Sequence, residues 1–160
     1  MATPDSYIAE HLSSFLDDFA ELIAIPSIST DPGHAEDVRK AAGWIRLRME
    51  QAGLSACLDE TGGHPVVLGR HDAGPGAPTR LVYAHYDVQP ADPLGEWRSP
   101  PFELTREGDD FVARGAAHIQ RFAGLIGAQL HARLKLLQRL VLVFGEQVHI
   151  VQLQGNFLFR

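Results

Sequence analysis

Between residues 8 and 23, Ile8, Leu12, Phe15, Phe19, Leu22 and Ile23 recur at spacings of three and four, with Asp17, Asp18 and Glu21 off that stripe. This is the repeat of an amphipathic helix with one apolar face. The helix is expected to end before the run Ile25 to Thr30, because Pro26 cannot continue the backbone ladder and Ser27, Ser29 and Thr30 favour turns. A second helix is predicted from about His34 to Ala52, with Val38, Ala42, Ile45 and Met49 on one face and Gly53 as its C-terminal cap. Short apolar runs at Ser55 to Leu58, Pro65 to Arg70 and Arg80 to Val88 read as strands separated by glycine, proline and aspartate clusters. Two helices followed by strands predict a layered α/β domain. Beyond residue 117, Phe122, Leu125, Ile126, Leu130, Leu134 and Leu137 return to helical spacing, and the runs Leu140 to Phe144 and Val148 to Gln154 read as one or two strands.

Composition narrows the class. With 160 residues, 45% hydrophobic and 21% charged, the chain is long enough to bury a core as one soluble domain. A formal net charge of -6 argues against nucleic acid as a partner. The single cysteine, Cys57, permits no internal disulfide and no paired-cysteine zinc knuckle, so a cytoplasmic setting is expected. No basic segment precedes an apolar run at the N-terminus, and no stretch approaches the roughly 20 apolar residues of a membrane span. Neither export nor membrane insertion is expected.

The mean charge conceals a break. Up to Ala117 the chain carries nineteen of its twenty acidic residues, nine basic residues and all ten prolines, a balance of nine minus nineteen, or -10. From His118 to Arg160 there are five basic residues against one acidic residue, Glu146, a balance of +4, together with six glutamines and no proline. Such asymmetry marks a separate module or an interaction tail, so residues 1–117 and 118–160 are predicted to be distinct parts.

Candidate chemistry concentrates in Leu81 to Pro90, where an apolar strand is expected to run into His85 and Asp87. Residues two apart on a strand share a face. A metal-bound imidazole needs its second ring nitrogen held by an acceptor, and a carboxylate two positions away can supply it. A lone His-x-Asp is equally served by a structural hydrogen bond, and one histidine does not make a zinc site. On spacing alone the structural reading is the simpler one.

The surrounding residues favour the metal. His85, Asp87, Val88, Gln89 and Pro90, then Trp97, Pro101 and Phe102, then Arg114, Gly115 and Ala116 follow one another in the order of a known pattern. The stretch closely resembles the first metal-ligand region of the dinuclear-zinc peptidase family that includes aminoacylase, carnosine-type dipeptidases and succinyl-diaminopimelate desuccinylase, and is most similar to its dipeptidase branch. The segment Phe19 to Pro32 is similar to that family's first helix and loop, so the resemblance covers residues 8 to 117. It implies the N-terminal portion of a zinc-peptidase catalytic domain, two helices and then a mixed sheet, incomplete and without the inserted dimerisation domain. It also implies that His85 is a zinc ligand and Asp87 its orienting carboxylate. Trp97 and Phe102 are expected in core packing, Gly115 in a backbone role and Arg114 in solvent.

The resemblance stops at residue 118. Where the family places Asp-Asp-Lys-Gly, whose first aspartate bridges the two zinc ions, this chain has His118, Ile119, Gln120 and Arg121. A neutral imidazole gives one nitrogen to one metal, so His118 does not replace a bridging carboxylate, though a single-metal site of His85 and His118 is a minority alternative. Glu146, in a run superficially similar to the strand before the family's glutamate pair, is the one candidate for the general base. Intact relatives are expected to hold two zinc ions, and this chain one or none. Two readings follow. In the first, the chain descends from hydrolases of peptide or amide bonds, with small peptides or N-acyl amino acids as substrates, and is truncated and impaired, its tail having another origin. In the second, it is a non-catalytic remnant that binds a metal weakly or associates with another chain or with itself.

Overall fold

The structure is a computed structural model that describes residues 4–72, 74–75, 80–116, 140–144, 151–153 and 156–158. It opens with helix α1, Pro4–Ile23, which starts earlier than the apolar stripe alone predicts and stops before the proline-containing loop. Its C-terminal end is the anchored part: Phe19, Leu22 and Ile23 are buried, while Leu12 stays half exposed. Asp31 caps a short 3-10 turn at Pro32–His34 by accepting from the Gly33 N–H at 2.8 Å. Helix α2, Ala35–Gln51, follows directly and carries Glu36 and Asp37 in its first turn, where acidic side chains complement the helix dipole.

The end of α2 is set locally. Gly53 takes φ 86°, a left-handed value that costs an L side chain roughly 1–2 kcal/mol. That turn lets the Leu54 N–H reach the Met49 carbonyl at 3.0 Å and the Gly53 N–H reach that of Glu50 at 2.9 Å. Two carbonyls at the helix end are thereby satisfied, and Leu54 folds back into the core cluster with Met49.

A four-stranded mixed sheet lies against α2. Its strands are β1 (Ser55–Asp59), β2 (Val66–His71), β3 (Arg80–Ala84) and β6 (Leu140–Phe144), in the order β1-β2-β6-β3. β1 and β2 form an antiparallel pair, and α2 packs on both. β6 runs antiparallel to β2, with Leu142 opposite Gly69, and parallel to β3, with Leu142 opposite Val82. A strand from beyond residue 117 therefore sits inside the sheet formed by the strands before it. A 3-10 turn at Leu94–Glu96 and two small hairpins complete the described elements, β4 (Thr105–Glu107) with β5 (Asp110–Val112), and β7 (Val151–Leu153) with β8 (Asn156–Leu158). The helical spacing read at 122–137 lies outside the described residues.

The core is the face that the helical repeat of α2 predicts: Val38, Ala41, Ala42 and Met49 have no exposed surface and Ile45 has 1%. The strands approach this face closely. A Cβ added at Gly69 would stand 2.6 Å from the Met49 sulfur and 3.2 Å from a Leu54 methyl. Gly69→Ala is accordingly expected to lower stability by about 1–3 kcal/mol through overpacking, read as a lower urea midpoint with unchanged slope.

Three sequence expectations need correction. β3 ends at Ala84 rather than Val88, so His85 and Asp87 lie in a loop. The reason is long-range: the Val88 N–H bonds to the Ser27 carbonyl at 2.9 Å, and Val88 forms a parallel bridge with Ile28 instead of continuing the strand. Trp97 and Phe102 are half-buried and outside the core, and Arg114 is not simply solvated. Its guanidinium carbon stands 5.3 Å from the centre of the Trp97 ring and its Nε is buried, while the Trp97 indole donates to the Ala91 carbonyl at 2.7 Å. Gly115 has φ 84°, in keeping with a backbone role.

Candidate functional site

The loop that follows β3 is held by the loop that follows α1. Ser27, buried, donates its hydroxyl to the Tyr86 carbonyl at 2.8 Å, and Tyr86 in turn donates its phenol to the Pro65 carbonyl at 2.6 Å. Together with the Val88 bond, these contacts tie residues 86–88 at three points, none of them made through a neighbour in sequence. The side chains between and beside those points therefore have little freedom.

Within this frame His85 Nδ1 stands 3.1 Å from the Asp87 carboxylate oxygen Oδ1 and 3.1 Å from the Asp87 carbonyl oxygen. Both partners are acceptors, so Nδ1 is the donor and carries the ring proton. In the neutral ring this assigns Nε2 as the nitrogen with a lone pair, the form in which histidine ligates a metal. Asp87 is buried, with 8% of its surface exposed, and a carboxylate at that depth needs its oxygens occupied. The second oxygen is occupied: Ser29 donates its hydroxyl to Asp87 Oδ2 at 2.6 Å. The Ser29 carbonyl is 3.0 Å from His64 Nε2.

Sequence reading found His85 and Asp87 but not Ser29. The signal was present in the segment Phe19 to Pro32, yet a serine in a turn-rich loop carries no mark of a partner 58 positions away. The two other residues singled out in the sequence, His118 and Glu146, lie outside the described residues. Among the described residues no group of three or more His, Cys, Asp or Glu side chains could hold a metal ion. A zinc site takes three or four protein donors, so His85 and Asp87 do not make one by themselves, and no catalytic step through a metal follows from them.

Beside this loop a cavity of about 400 Å³ is lined by residues that include Ser29, Thr30, Arg39 and His64. Arg39 is engaged there by Glu60 through two bonds of 2.6 and 2.9 Å. That hydrogen bond, with the opposite charge, holds the Glu60 carboxyl below its usual value, so the pair's small contribution is present at neutral pH and is lost as acid protonates Glu60. Cys57 is an exposed free thiol on β1. Among the described residues no helix is long and apolar enough to cross a membrane.

No family model matches the chain. It is 34% identical over 101 residues to a cysteinylglycine-S-conjugate dipeptidase of Corynebacterium striatum, a match covering 62% of this chain and 22% of the relative. In structure it is similar to the dipeptidase Dug1p of Saccharomyces cerevisiae, with a TM-score of 0.71 and 25% identity over 86% of this chain and 33% of that one. It is also similar to an M20 family metallo-carboxypeptidase of Sulfolobus solfataricus, with a TM-score of 0.72 and 32% identity over 84% of this chain and 31% of that one. The chain thus spans between about a fifth and a third of the length of these relatives.

Proposed function

Starting from its place among the metallopeptidases of that family, of whose catalytic domain it corresponds to the N-terminal part, we propose that this chain carries the first metal-ligand station of a hydrolase of peptide or amide bonds. His85 is the ligand, through Nε2, and Asp87 orients it. The observation that carries this reading is the His85 Nδ1 contact of 3.1 Å with a carboxylate that is itself buried. Small peptides or N-acyl amino acids are the substrate class, in line with the dipeptidases among the relatives. Zinc is the metal, and the cytoplasm the setting.

Glu146 belongs to the same proposal as the general base. β3 and β6 are parallel, with Ala84 opposite Phe144, so both strands end on one side of the sheet. In sequence, His85 directly follows the first of these strands and Glu146 lies two residues after the second. His118 is carried as a second ligand in the single-metal alternative. The division into residues 1–117 and a tail of separate origin is carried by the charge break and the end of the resemblance falling at the same place.

The second reading, a non-catalytic remnant that binds metal weakly or pairs with another chain, is favoured by one observation: His118 to Arg121 stand where the resemblance calls for Asp-Asp-Lys-Gly. Zinc content after dialysis, measured beside hydrolysis of Cys-Gly, separates the two. One zinc ion or none with no turnover, any bound zinc being lost in His85→Ala, would favour the remnant. Two ions with turnover abolished by His85→Ala would establish the hydrolase. Bound zinc that is retained in full in His85→Ala would remove His85 from the ligand role.

A further inference from the structure

We propose that Ser29 is a positioning residue for His85, acting through the carboxylate of Asp87. The inference rests on the reading of His85 as the ligand, but concerns how its ring is held rather than whether a metal arrives. Asp87 offers two oxygens on a buried carboxylate: Oδ1 faces His85 Nδ1 at 3.1 Å, and Oδ2 receives the Ser29 hydroxyl at 2.6 Å. A carboxylate is free to rotate about its terminal torsion, which has broad minima. One oxygen held by a short bond to a hydroxyl stops that rotation and aims the other at the imidazole.

The frame that presents Ser29 is fixed independently. Ser27 grips the Tyr86 carbonyl at 2.8 Å and accepts from the Val88 N–H at 2.9 Å through its own carbonyl, so the Ser29 loop and the Asp87 loop stay in register whatever side chain stands at position 29. Two serines of one loop thus divide the work: Ser27 joins backbones, and the Ser29 hydroxyl is given to the orienting carboxylate. In neutral His85 the consequence is a bias toward the tautomer protonated at Nδ1, which leaves the Nε2 lone pair for a ligand's role.

The test is the tautomer of His85, read in the metal-free 160-residue chain by nitrogen NMR of the imidazole ring at alkaline pH, where histidines are neutral. The unaltered chain is expected to show His85 protonated mainly at Nδ1. Ser29→Ala should lower the Nδ1-H to Nε2-H ratio by roughly threefold, the scale of one loosened hydrogen bond, with little change in urea midpoint. Ser29→Thr, which keeps the hydroxyl, should restore the ratio. Ser27→Ala should do the reverse, lowering the midpoint while leaving the ratio in place. The proposal is overturned if Ser29→Ala leaves the ratio unchanged, or if Ser27→Ala shifts it as much at equal stability. Because the readout needs no metal, its failure is distinct from a failure of zinc binding, which bears on His85 as ligand.

Discussion

Leu142→Pro is expected to abolish cooperative unfolding of the whole chain, although residue 142 lies in the part whose composition marks it as separate. Leu142 pairs across β6 with Gly69 on one side and Val82 on the other. A proline removes a backbone donor and fixes φ, and in sheets it is confined to edges because a strand paired on both sides has no solvent-facing position for it. The cost inside a helix is about 3 kcal/mol or more, and a doubly paired strand offers no easier accommodation. The loss also spreads. Among the described residues β3 pairs only with β6, so without β6 the strand that delivers His85 has no partner and β2 gains an open edge. Urea titration followed by the fluorescence of Trp44 and Trp97, with far-ultraviolet circular dichroism, reads the result. A sharp transition with unaltered midpoint in Leu142→Pro would show that 140–144 does not pair in the sheet.

Ile45→Ala is the second large effect, an expected loss of about 2–5 kcal/mol. Ile45 is 1% exposed and stands at the middle of the buried face of α2, among Val38, Ala41, Ala42 and Met49. The cost combines lost burial with a cavity, because neighbours on a helix and a sheet cannot collapse into the space freely. Against a total stability of about 5–15 kcal/mol, this is a large share. The urea midpoint should fall while the slope is kept, and Ile45→Leu, which conserves volume, should cost less than about 1.5 kcal/mol. A loss below about 1 kcal/mol in Ile45→Ala would mean that α2 does not cover β1 and β2 as described.

Ser29 shows why the site was only half legible. His85 and Asp87 are two positions apart, and their pairing follows from short-range geometry whether the backbone is a strand or, as found, a loop. The hydroxyl that completes the set comes from 58 positions away, where neither periodicity nor spacing carries information about contact. The same holds for Arg114, whose guanidinium lies over the Trp97 ring rather than wholly in solvent.

By itself the sequence determined the two helices, the Gly53 cap, the buried face of α2, the early strands and the His85 and Asp87 pair. Each of these is encoded within a few residues, as a 3.6-residue repeat, a left-handed glycine or an i, i+2 relation. The tertiary structure alone decided that β3 stops at Ala84, that Ser27 and Ser29 hold the next loop, and that β6 enters between β2 and β3. These are pairings between distant segments, chosen by hydrogen-bond partners that no local pattern names. A composition break at residue 117 reports how charge is distributed along the chain, whereas sheet membership depends on which backbone groups find partners, and apolar Leu140 to Phe144 supplies them on both sides.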